Sequence, residues 1–216
     1  MASGFETTAS GKYSHAVGYK NIASGDASFA EGGFVGKGYF NTASGEGSHA
    51  EGANTTASGA NSHSEGFFTT AAGVASHSEG SSTYALGQRS HAEGQNTSSF
   101  GSFSHAEGES TIASGQSSHA EGFETTASGV TAHAEGYQTI ANGDYSHAEG
   151  RSNLANGDYS HAEGFNATAI GKISHAEGSL NIASGLASHA EGSENSVSGS
   201  SAHVEGFRNV AGGGYS

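Results

Sequence analysis

The chain has no cysteine, no proline and no tryptophan, and its one methionine is Met1. Without cysteine there is no disulfide framework and no thiolate metal site. Leucine is scarce, and side chains of core-forming size are too few for a conventional globule of 216 residues. No apolar run approaches the ~20 residues of a membrane span. Met1, Ala2, Ser3 and Gly4 supply neither the basic nor the apolar part of a secretory leader. Basic residues are also few: 7 Lys and Arg stand against 21 Asp and Glu, for a formal charge of −14. That balance argues against nucleic acid and against an anionic membrane surface as partners. The repeat is incomplete at both ends, the last residues being Gly212, Gly213, Gly214, Tyr215 and Ser216. A piece of something longer is the expectation.

Glycine is abundant, with 36 residues, and it is placed with a period that disorder does not require. The word Ser-His-Ala-Glu-Gly occurs eight times, first at 48–52 and last at 188–192. All 13 histidines take its second place, and 13 of the 21 acids are its glutamate, from Glu31 to Glu205. The word returns every 14 residues from the copy at Ser48 to the copy at Ala202. Midway lies a second word, as in Thr111, Ile112, Ala113, Ser114 and Gly115. Both words fit one frame: small, variable, Ala, variable, Gly.

Internal repetition of this kind defines the architecture. Five residues of alternating character predict a short strand, and Gly with its followers predicts a tight turn, because Gly accepts positive φ. Two strands and two turns make a coil. Stacked coils pair in parallel about 4.8 Å apart, and about fifteen of them form a single all-β roll over residues 1–216. Glycine, serine, threonine and asparagine throughout oppose helix. Alternation turns Ser104, Ala106, Thr111 and Ala113 inward, and His105, Glu107, Ile112 and Ser114 outward.

An alanine-lined interior removes little apolar area per coil, at about 25 cal/mol per Å². Ordering each backbone residue costs roughly 1–2 kcal/mol. The missing burial is expected from identical neighbours, which makes a homo-oligomer. Twelve of the 19 aromatics lie at two corners of the coil. Phe5, Tyr19, Phe67, Phe123, Tyr137, Phe165 and Phe207 follow the first word. Tyr13, Phe103, Tyr145, Tyr159 and Tyr215 precede it. Such edges suit packing between subunits, or capping of neighbours within one chain.

In Asn21, Ile22, Ala23, Ser24, Gly25 and Ser90, His91, Ala92, Glu93, Gly94 the repeat resembles the YadA-like head of trimeric autotransporter adhesins. The resemblance covers almost the whole chain. It implies a left-handed parallel β-roll, three chains about one axis, and an extracellular head anchored at an outer membrane. It also implies adhesion to host matrix or cell-surface ligands. Similar repeats occur in phage tail fibres, so a structural segment of a virion tail fibre is the alternative. The His-Ala-Glu filling departs from the family's commoner Val-Ala-Ile.

Stacking makes a ladder of His49, His63, His77, His91, His105, His119, His133, His147, His161, His175, His189 and His203. Beside it runs a ladder that includes Glu51, Glu93, Glu107, Glu121, Glu149 and Glu163. Four readings stand. The face packs on a threefold axis, where His of one chain meets Glu of the next. It is a solvated polar face left by duplication. It binds zinc or nickel, which His and carboxylate suit. Or the second word's outward Thr and Ser, such as Thr8, Ser10, Thr56, Ser58, Thr126 and Ser128, form an ice-binding array, though Ile, Leu, Tyr and Phe interrupt them. The interface candidates are these His and Glu with Phe67, Phe123, Tyr137 and Phe165.

The rhythm breaks once. From Ser28 to Ser48 the spacing is 20, six more than elsewhere, around Gly33, Phe34, Val35, Gly36, Lys37 and Gly38. Phe29 there takes the place of His. Insertions in solenoids emerge as loops on one face, so Phe34, Val35, Lys37, Tyr39 and Phe40 are the candidate ligand loop; a neutral scar or packing cap is the other reading. Strand alternation turns Ser104 away from His105, which removes a Ser-His-Glu triad. No singular nucleophile or phosphate loop stands out. No catalysis, cofactor or dedicated metal site is expected.

Overall fold

The computed structural model describes residues 1–33 and 38–214. Phe34, Val35 and Lys37 of the candidate loop lie outside the described residues. Every regular element among the described residues is a β-strand, and the chain is a parallel β-solenoid of about 15 coils. It divides into two compact units, Met1–Ser110 and Thr111–Ser216.

In each unit a longer strand alternates with a two-residue strand. His63–Phe67 is followed by Thr70–Ala71 in the first unit, and His161–Phe165 by Thr168–Ala169 in the second. Within each unit, strands pair in parallel with their counterparts one coil on. His63 faces His77, and Thr70 faces Tyr84. His161 faces His175, and Thr168 faces Ile182. A broad sheet and a narrow sheet therefore form opposite walls of each coil.

The two words differ more than their common frame suggests. Both were expected as five-residue strands closed by a turning glycine. Only the first word gives a long strand, and it runs through its glycine to the corner residue, as in His63–Phe67. Gly66 has φ of 108°, and a Cβ there would lie 2.2 Å from the carbonyl oxygen of Gly80. The second-word glycine is required by close approach alone: a Cβ on Gly59 would lie 2.0 Å from the oxygen of Gly73. The left-handed turn residue is the second after each glycine, and it is usually not glycine. Phe68 (φ 57°), Ala75 (54°), Thr131 (56°) and Ile173 (60°) hold this position. For an L-residue this costs roughly 1–2 kcal/mol. The ladder offsets it, because the strained residue's N–H donates to the preceding coil, as Thr131 to Gln116 O at 2.8 Å and Ile173 to Asp158 O at 2.8 Å.

The interior agrees with the alternation. Ala16, Ala23, Ala50, Ala106 and Ala113 are fully buried, and Val197 is the largest such side chain. Where Ser replaces the inner Ala it finds a hydroxyl across the coil, Ser64 with Thr69 at 2.8 Å and Ser78 with Thr83 at 2.7 Å. The first-word Ser closes its corner by donating to the glycine three residues back, as Ser76 Oγ to Gly73 O at 2.7 Å.

Asparagine forms a further internal ladder. Asn181 Nδ2 donates to Glu177 O and to Gly192 O, the latter at 2.8 Å, while its Oδ1 accepts from Asn195 N at 2.8 Å. One amide thus holds two coils and both ends of a corner. Asn21, Asn41, Asn153 and Asn195 do the same.

The six extra residues do not add half a coil. Phe29 pairs with His49 and Ile22 with Thr42, so both ladders continue across the insertion. Tyr39 packs edge-on against Phe67 and Phe68, at centroid distances of 5.5 and 5.2 Å. It lies in a stretch of the corner where Gly33 and Ala53 carry no large side chain. Phe40 is exposed.

Candidate functional site

The outward face of each broad sheet carries the histidine and glutamate ladders. In the first unit His49, His63, His77, His91 and His105 stack at 4.7–4.9 Å between successive ring centroids. In the second unit His119, His133, His147, His161, His175, His189 and His203 stack at 4.6–4.9 Å. That spacing is the strand separation of a parallel sheet, so the register itself produces the stack. Phe29 continues the first stack, 5.0 Å from His49.

Each glutamate lies beside this stack. His91 Nε2 is 3.4 Å from Glu93 Oε2, and His105 Nε2 is 3.4 Å from Glu107 Oε2. His119 Nε2 is 3.7 Å from Glu121 Oε2. Several imidazoles stand between two carboxylates, one from their own coil and one from the coil before. His49 has Glu31 at 3.4 Å and Glu51 at 3.8 Å. His161 has Glu149 at 3.4 Å and Glu163 at 3.6 Å.

The rings are about a third exposed, but their Nε2 atoms are not. For His49, His63, His77 and His91, and for His133, His147, His161, His175 and His189, Nε2 is shielded from solvent and makes no hydrogen bond among the described residues. Burial is the leading cause that lowers the pKa of His63, His91, His147 and His175, with the neighbouring imidazoles second. The flanking carboxylates act in the opposite direction and are outweighed. The glutamates line an open groove whose floor is glycine. Glu31, Glu51, Glu65 and Glu79 line such a groove in the first unit, and Glu149, Glu163 and Glu177 line a separate one in the second. Imidazole and carboxylate together are a donor set for a borderline cation.

The corner aromatics are brought together within the chain. Phe123 stacks on Tyr137 at 5.1 Å, and Tyr145 on Tyr159 at 5.0 Å. Arg151 takes the next place in the first column, 5.3 Å from the Tyr137 ring and 5.6 Å from Phe165. Phe67 meets Phe68 edge-on at 4.4 Å. Phe67, Tyr137 and Phe165 nonetheless stay exposed. Sequence reasoning missed Arg151 because it searched the slot for rings; the 14-residue spacing from Tyr137 and to Phe165 was the available signal. On the narrow sheet Ile112, Tyr84 and Ile182 are exposed among smaller threonines, so the hydroxyl array is broken.

The model of the YadA head domain repeat (2 copies) matches residues 9–34, 38–62, 78–104, 92–118, 106–122, 120–146 and 162–179. Together these spans cover well over half of the chain. No curated protein matches it.

Proposed function

Because this chain belongs to the family of YadA head domain repeats, the head repeats of trimeric autotransporter adhesins, we propose that it binds host matrix or cell-surface ligands along its side faces. It is an adhesin head region, exposed at the cell surface. Residues 1–216 act as one head domain, a left-handed roll in a homotrimer, held above an outer membrane by parts of a longer protein. The observation that carries this reading is the family match, spread along a chain whose coils present the same side chains over and over. Many weak, equivalent contacts on such a surface give strength through multivalency.

Two features support the trimer. The alanine interior gives each coil little apolar burial. Nε2 of His63, His91, His147 and His175 is shielded and makes no hydrogen bond among the described residues, and an unmade hydrogen bond of that kind is costly. We place the His–Glu face, with Phe67, Phe123, Tyr137 and Phe165 at its edge, toward neighbouring chains. Tyr39 and Phe40, at the end of the six-residue insertion, are the candidate ligand contact.

Adherence tests the function. Cells displaying this head should attach to immobilised matrix proteins or to host cells, and displaying cells in which residues 33–38 are deleted should attach less. No attachment above cells lacking the head would overturn the reading.

A further inference from the structure

We propose that the ladder binds zinc, each ion held by Nε2 of one histidine and by the two carboxylates that flank it, from its own coil and the coil before. The sites are repeated: His49 with Glu31 and Glu51, His77 with Glu65 and Glu79, His161 with Glu149 and Glu163.

The distances carry the argument. His161 Nε2 lies 3.4 Å from Glu149 Oε1 and 3.6 Å from Glu163 Oε2, and His77 Nε2 lies 3.8 and 3.5 Å from its pair. These contacts make no hydrogen bond, and Nε2 of His77 and of His161 has no hydrogen-bond partner among the described residues. A tetrahedral zinc with bonds of 2.0–2.2 Å separates two of its ligand atoms by about 3.4 Å. The separations are therefore long for a hydrogen bond and suited to a shared cation. Charge agrees as well: one dication with two carboxylates and a neutral imidazole is balanced. The fourth position stays open to water or to a further ligand.

Groups of two imidazoles with one glutamate, such as His161, Glu163 and His175, also have ligand atoms within 4.8 Å of one another. Ring geometry disfavours them. The His161 and His175 rings are 4.8 Å apart and 1° from parallel, so their lone pairs point side by side and do not converge. A single zinc needs two nitrogens within about 4.2 Å, from Zn–N bonds of 2.0–2.1 Å.

The carboxylates are shared between rungs. Glu51 presents Oε2 to His49 at 3.8 Å and Oε1 to His63 at 3.7 Å. Zinc on adjacent rungs would repel across one strand spacing and would exceed the available negative charge. Alternate occupancy balances both, so binding should saturate near one zinc for every two rungs, on the order set by that repulsion. An open glycine-floored groove in the first unit exposes the carboxylates to the ion.

Equilibrium dialysis of EDTA-stripped protein against zinc chloride, with excess calcium chloride present, tests this. Zinc should bind to about half the rungs and resist calcium, because imidazole favours zinc while calcium takes oxygen ligands. X-ray absorption at the zinc edge should show one imidazole and oxygen neighbours. A variant with Gln at His133, His147, His161, His175 and His189 should lose most second-unit zinc while keeping its circular dichroism. If that variant does not fold, absorption on the unaltered protein decides. A shell without imidazole, displacement by the excess calcium, or unchanged uptake by a folded variant would overturn the proposal. All three ligands come from one chain, so a monomeric mass by light scattering would count against the trimer and leave zinc uptake intact.

Discussion

Asn181 Oδ1 accepts a hydrogen bond from Asn195 N at 2.8 Å, so a side chain inside one coil stands in for backbone pairing to the next. The same amide donates to Gly192 O at 2.8 Å and to Glu177 O. Asn181→Ala leaves three backbone groups without this partner inside a closed corner. Each buried unsatisfied group costs about 1–3 kcal/mol. Asn181→Thr should cost less, because Thr fills this slot elsewhere and Thr139 Oγ1 donates to Glu135 O at 3.0 Å. Urea denaturation of both variants checks the order, and equal losses would contradict it.

The facing of the strands makes a second comparison. Ala106 is fully buried and Ile112 is 38% exposed. Ala106→Leu overpacks a coil with no room, which costs at least ~1–3 kcal/mol. Ile112→Thr changes an outward position and should stay within about 0.5 kcal/mol. Equal melting temperatures would reject the assignment of the two faces.

Close approach of coils predicts an asymmetry among glycines. Gly59→Ala puts a methyl group 2.0 Å from Gly73 O, whereas nothing lies within 4 Å of a Cβ on Gly38. The first change should prevent native stacking or lower the melting temperature far more than the second. Gly38→Ala should cost only the ~1–2 kcal/mol of a left-handed L-residue. Similar melting of the two would contradict the steric account.

Acid should weaken the metal-free protein. His63, His91, His147 and His175 have pKa values held below the ordinary 6.5, first by burial and then by stacked imidazoles. Their neutral form is favoured in the fold. As pH falls through the unfolded value, the unfolded chain takes up protons that the folded chain does not. Stability present at pH 7 therefore declines from about pH 6.5 downward, until the folded groups also protonate. Melting in EDTA should occur at lower temperature at pH 5 than at pH 7. The double variant with Gln at His147 and His175 should show a smaller drop. An unchanged or rising melting temperature on acidification would reject a shielded, neutral ladder.

Period, strand direction and facing were legible because each is a consequence of residue identity at fixed spacing. Ala106 and His105 could be assigned to opposite faces from alternation alone. Stacking of equivalent side chains followed from the same period. The unequal strands were not legible, because Gly66 and Gly59 occupy the same frame and differ only in what the next coil brings near them. The left-handed residues were hidden for a related reason: Ile173 and Thr131 have no local preference for that conformation, and a hydrogen bond from another coil holds them there. Arg151 between Tyr137 and Phe165 was visible in the spacing but not in the residue type. The shielding of Nε2 needed coordinates, since it depends on the rotamers of the side chains around each ring.

Light scattering coupled to size exclusion, at micromolar protein with native circular dichroism, tests the trimeric adhesin head most directly. The account predicts a particle of three times the 21.4 kDa chain mass. A folded particle of a single chain's mass would contradict it.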